Sequence, residues 1–243
     1  MLVRFSALVL ALLAPVSASA QAPQPGWVAD ARTGCKVWAD RVEATQTARW
    51  TGMCPSGVAE GRGILQWFRN GELNNSIDAE FRDGKPNGRA VVTFANGDRY
   101  DGEWRDGRQN GRGVYVARDG YRYEGEWRDG EPNGRGVVMP ANGDRYEGEL
   151  RDGALIGRII HRYANGDRYE GEFRDANANG HGVFTSASGD RYEGMFRDDG
   201  PNGAGTLTKS DGEVFSGNWT DGCFRQGSRK AWVGTTAKRC GFD

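Results

Sequence analysis

Paired carboxylates, two histidines and four cysteines are the residues of this 243-residue chain that carry chemistry in principle. Glu124 and Glu126, Glu147 and Glu149, and Glu170 and Glu172 each stand two residues apart. Glycoside hydrolysis needs two carboxylates at a defined separation. These pairs recur regularly and alternate with arginine, whereas a catalytic pair would break a repeat. They read as a solvated strand face with cross-strand ion pairs. His161 and His181 occupy different places in their units and have no G-x-S-x-G elbow, so both read as exposed strand residues. The G-x-G matches lack strand-to-helix context and a following G-K-[ST], so no phosphate loop is expected.

Cys35, Cys54, Cys223 and Cys240 read as two disulfides in an exported chain. Of three connectivities, proximity along a linear array favours Cys35–Cys54 and Cys223–Cys240. Each would contribute roughly 3 kcal/mol in the chain-entropy model. A zinc site is disfavoured because no C-x-x-C pair exists and the histidines are remote. The Asn-Gly-Asp series (Asn96 to Asp98, Asn142 to Asp144, Asn165 to Asp167) offers one carboxylate per turn, too few for calcium. No metal or cofactor is expected, and no catalytic residue.

The carboxylate pairs sit on a strict period. Tyr100, Tyr123, Tyr146, Tyr169 and Tyr192 recur every 23 residues, and Phe215 takes the sixth place. Gly102, Gly125, Gly148, Gly171, Gly194 and Gly217 follow two positions later, then Trp104, Trp127, Leu150, Phe173, Phe196 and Trp219. Such self-similarity marks a repeat architecture. In Tyr123 to Arg128 apolar and polar residues alternate, as in a strand with one buried face. Asp129-Gly130 and Asn133-Gly134 are expected to form a turn, and Arg135 to Met139 a second strand. Asn142-Gly143-Asp144 then turns into the next unit.

The expected fold is all-β: an elongated, twisted antiparallel sheet of about eight stacked hairpins, on the order of 75 Å long. Tyr, Gly and the following bulky residue then form the core, each ring covering backbone left bare by glycine. The alternative is a binding row for sugars or quaternary ammonium groups.

The array is expected over 50–222. Residues 1–20 read as a signal peptide: Arg4, an apolar run from Ala7 to Ala14, then Ala18-Ser19-Ala20, with cleavage after Ala20. Residues 21–34 read as a linker, 35–49 as a lead-in and 223–243 as a C-terminal cap. Three departures cluster mid-array: Ile156-Gly157-Arg158-Ile159 replaces Asn-Gly-x-Gly, while Ala176 and Asp199 take turn-glycine positions. A formal net charge of -1 at pH 7 offers no field for nucleic acid.

Tyr-Glu-Gly-Glu-Trp-Arg-Asp-Gly-x-x-x-Gly-x-Gly, as in Tyr123 to Gly136, resembles the MORN (membrane occupation and recognition nexus) repeat. The resemblance covers about 50–222. It implies a single sheet of stacked hairpins acting as a scaffold or interaction module. Such arrays are linked with phospholipid association, protein partners or an attached catalytic domain. The terminal cysteine pairs are similar to those framing exported bacterial members. The resulting expectation is a non-enzymatic scaffold in a bacterial periplasm or envelope, with another envelope protein as partner. A module for cell-wall glycan or phospholipid headgroups is the alternative, and homodimerisation through an exposed edge or face stays open.

Overall fold

The computed structural model describes residues 24–174 and 176–242; the expected signal peptide and its cleavage position lie outside them. Strands β1 (Gly26–Ala29) and β2 (Lys36–Ala39) pair with each other. The main sheet follows with β3 (Gln46–Trp50), β4 (Gly61–Arg69), β5 (Glu72–Arg82), β6 (Lys85–Phe94), β7 (Arg99–Arg105), β8 (Arg108–Val116) and β9 (Arg122–Arg128). It continues with β10 (Glu131–Met139), β11 (Arg145–Arg151), β12 (Ala154–Arg162), β13 (Arg168–Arg174) and β14 (Asn177–Thr185). Last come β15 (Arg191–Arg197), β16 (Gly200–Thr208), β17 (Val214–Thr220), β18 (Cys223–Gln226) and β19 (Arg229–Trp232). This is the expected antiparallel meander of consecutive hairpins, with 17 strands. No register joins β19 to β3, so the sheet stays open and does not close into a barrel.

The stretch expected as a linker holds β1, and the lead-in holds β2 and most of β3. Asp30 explains why this segment is ordered. Its carboxylate is 1% exposed and accepts the Trp50 N–H at 2.9 Å, the Arg32 N–H at 2.9 Å and the Arg32 guanidinium at 3.0 Å. Asp30 also bridges to Ala48, covering the outer edge of β3. Chiefly through the Arg32 hydrogen bond, its pKa is held down to about 2. Because the folded pKa lies below the unfolded one, this stability is complete above about pH 4 and drains as pH falls toward 2. The expected loss is about 2 kcal/mol. Acid titration of unfolding free energy checks this, and Asp30→Asn should flatten that portion of the curve.

Two disulfides join Cys35 to Cys54 and Cys223 to Cys240, with Cα separations of 5.9 and 5.5 Å. The pairing is the one favoured by proximity, and it ties down both ends of the sheet.

Asp129 at 52° and Gly130 at 96° form a two-residue turn with positive φ at both positions between β9 and β10, and Asp83–Gly84, Asp106–Gly107 and Asp152–Gly153 repeat it in their own units. That turn matches the right-handed twist of the strands. Asn133-Gly134 does not belong to it, contrary to the sequence expectation. β10 already pairs at Glu131, and the register shifts between Pro132 and Gly136. Gly134, at φ 106°, supplies a β-bulge within the strand. Turn and bulge both call for positive φ, so composition alone does not separate them.

Ala176 occupies a turn-glycine place at φ 63°. A left-handed conformation is costly for a residue bearing a Cβ. Ala176→Gly is expected to raise stability by about 0.5–1 kcal/mol, the strain relief exceeding the added chain entropy. Thermal unfolding of the pair of proteins reads the difference.

The aromatic face is the core. Tyr123 lies across the register-paired Gly125 and Gly136: a Cβ on Gly125 would meet Tyr123 Oη at 2.5 Å, and one on Gly136 would meet its Cε2 at 2.5 Å. The phenol donates to the Glu126 carbonyl at 2.8 Å. Tyr100, Tyr169 and Tyr192 repeat this bond to Glu103, Glu172 and Met195. Each of these three tyrosines also meets the bulky residue of the next unit edge-on: Tyr100–Trp127 at 5.0 Å, Tyr169–Phe196 at 4.9 Å and Tyr192–Trp219 at 5.1 Å. Hydrogen bonds from backbone N–H groups join successive units along both margins. Gly130 N–H donates to the Gln109 carbonyl at 3.0 Å, and Arg118 N–H to Asp98 Oδ1 at 2.9 Å.

Candidate functional site

Of the residues singled out in the aromatic row, Tyr100, Tyr123, Trp127, Tyr169, Phe173, Tyr192, Phe196, Phe215 and Trp219 are buried, while Trp104 and Tyr146 are half-buried. A row in that condition does not present ring faces to a sugar. The surface left to meet another molecule is therefore the opposite face of the sheet.

There a groove of about 1060 Å³ crosses the array from Arg89 on β6 to Glu170 on β13. Strand alternation builds it: each residue facing away from the aromatic core points into it. The even-numbered strands contribute Arg112 and Val114, Arg135 and Val137, and Arg158 and Ile160, and the odd-numbered strands contribute the carboxylates between them. Its lining is mixed in charge over a partly apolar floor.

Five of the six paired carboxylates divide into two structural tasks. Glu124 pairs with Arg122 at 2.8 Å, and Glu147 with Arg145 at 3.0 Å. Glu170 binds Arg158 at 3.0 Å and also Arg168. Arg168, then Arg158, holds the Glu170 carboxyl below the ordinary range. Glu126 and Glu172 instead cover bulge glycines: a Cβ on Gly134 would lie 2.3 Å from Glu126 Oε2, and one on Gly180 would lie 2.2 Å from Glu172 Oε2. Exposed ion pairs of this kind add little stability each. What they do is set the charge pattern of this face. Among the described residues, no cluster of three or more His, Cys, Asp or Glu is placed to hold a metal ion. No helix among them is long and apolar enough to cross a membrane.

The two histidines separate. His181 is exposed on the outer face, opposite Met195. His161, expected on the surface, is 6% exposed and sits in the core face opposite Tyr146. The corresponding residues in other units are Tyr115, Val138, Phe184 and Leu207. Lining up the units fifteen residues after each tyrosine would have revealed this.

A family model described as MORN repeat matches residues 78–99, 100–120, 123–145, 169–191 and 192–214. The interval it passes over contains Ile159 and His161. No curated protein matches the chain at a significant level. Solved structures with a similar trace include the TCP domain of Drosophila melanogaster SAS-4 (dCPAP), determined with a proline-rich motif of Ana2 (dSTIL). That pair shares 11% identity, covering 74% of this chain and 96% of that one, with a TM-score of 0.43. The TCP10 domain of Danio rerio CPAP shares 13% identity over 64% of this chain and 78% of that one, with a TM-score of 0.37.

Proposed function

The chain belongs to the MORN-repeat family, whose repeats are generally protein or lipid interaction modules, and from that premise we propose that it is a non-enzymatic scaffold whose outer groove holds a protein partner. The groove carries this reading. Its alternating guanidinium and carboxylate groups over Val114, Val137 and Ile160 suit a polypeptide, which offers both charges and apolar side chains. A uniformly anionic lipid surface would meet more repelling carboxylates (seven) than attracting arginines (five) along the groove. Cell-wall glycan is the weaker reading because most rings of the repeating aromatic row are buried in the core.

The compartment is part of the proposal. Two disulfides suit an oxidising environment such as a bacterial periplasm or envelope. The expected export signal agrees with that setting.

Photo-crosslinking groups placed at Val114 and Val137 in the producing cell test the reading. A protein adduct at both positions, lost on Arg112→Glu with Arg135→Glu and absent from a probe at Leu73 on β5, is the expected result. Lipid or glycan adducts alone, or adducts equally strong at Leu73, would overturn it.

A further inference from the structure

The β11–β12 hairpin departs from its siblings at three places, and the three departures meet. Ile159 stands where Gly113, Gly136, Gly182 and Gly205 stand in other units, and its Cγ2 lies 2.7 Å from where Gly148 would carry a Cβ. The flat bed on which Tyr123 rests is thereby blocked for Tyr146. Tyr146 instead stacks on His161, with centroids 3.9 Å apart and planes 19° from parallel. Tyr163, where other units have Ala117, Pro140, Ser186 or Lys209, approaches the same imidazole at 3.7 Å. His161 Nε2 lies 3.2 Å from Asp144 Oδ2, without the alignment of a hydrogen bond, and is buried without a partner. The buried apolar core also changes hands here. One cluster runs to Leu150, the next begins at Ile159, and Leu155 packs against both.

We propose that this cluster is a proton-operated joint between the two halves of the array. With His161 neutral the hairpin is closed; protonation opens it locally and uncouples the N-terminal half from the C-terminal half. An imidazolium at this position must give up its hydration to stay in the core face. Asp144 from the β10–β11 turn and Asp199 from the β15–β16 turn favour the cation, as do the faces of Tyr146 and Tyr163. Burial outweighs them and lowers the His161 pKa.

The remaining neighbours do not compete. Tyr169, the register partner on β13, donates its hydroxyl to the Glu172 carbonyl. The Tyr163 phenol is pushed up to about 12, mainly by burial, and stays neutral. Arg145, Arg162 and Arg168 are paired with Glu147 and Glu170. A folded pKa below the unfolded value means that the closed hairpin is fully stable above the free imidazole range of about 6.5. That stability is lost as pH falls below it. Asp144 carries the change onward, because its Oδ1 accepts the Ala164 N–H of the next unit at 2.9 Å.

Two measurements on the full chain decide the matter. The first is the NMR titration of His161, which should fall below that of a free imidazole. The second is amide exchange of wild type against His161→Leu, compared at equal pH so that intrinsic exchange chemistry cancels. Leucine is tolerated at the corresponding place, as Leu207 shows. Wild-type protection over residues 146–163 should match the variant at pH 7.5 and be severalfold lower at pH 5, with residues 100–136 unchanged. Should His161→Leu fold poorly, His161→Phe serves, since Phe184 is the residue of another unit. His161 titrating at or above the free value, or exchange that does not diverge at pH 5, overturns the joint.

Discussion

Tyr123→Ala is expected to lower the unfolding free energy by about 4 kcal/mol. Tyr123→Phe should cost only about 1 kcal/mol. The ring is 1% exposed, covers Gly125 and Gly136, and meets Trp127 at 5.2 Å. Removing it strips cover from a strand pair that has no side chains of its own to offer. The phenylalanine variant keeps that cover and loses only the bond from the hydroxyl to the Glu126 carbonyl. Urea unfolding separates the two effects. Because stability in a repeat array is shared between neighbouring units, the alanine variant should also broaden or split the transition. An unchanged midpoint for Tyr123→Ala would mean that the tyrosine row is not the core.

Gly125→Ala is the second large effect, about 3 kcal/mol of destabilisation from one added methyl group. The new Cβ would lie 2.5 Å from Tyr123 Oη, 2.6 Å from the Gly136 Cα and 2.7 Å from the Arg135 carbonyl oxygen. Two of these are backbone atoms of the neighbouring strand, so a side-chain rotation does not relieve the clash. Gly200→Ala is the control, since its nearest neighbour would be 3.8 Å away. It should change stability by no more than about 0.5 kcal/mol. Equal effects at the two sites would reduce the glycine argument to a generic loss of backbone freedom.

Both effects follow from a pattern legible in the chain. Tyr, Gly and a bulky residue at alternate positions must share one face of a strand, and that face is the core. The disulfide partners were legible for a similar reason, because each pair is close along an array that keeps sequence neighbours close in space. The Asn-Gly bulge was less legible. Gly134 and Gly130 both adopt positive φ, and only the pairing of β10 with β9 assigns one to a bulge and the other to a turn. His161 was misread because a histidine on an isolated strand looks like any other polar residue. Its burial depends on Tyr146, Tyr163 and Asp144, which converge on it from three different segments.

By itself, then, the sequence determined the repeat, the hairpins and the buried face, and it favoured the cysteine pairing that closes the two ends. These rest on local sterics and on a period of two along each strand. The tertiary structure alone decided which polar groups line the groove, which carboxylates cover bulges, and where the core divides. Those outcomes depend on register across strands, and register is set by the contacts of the whole sheet.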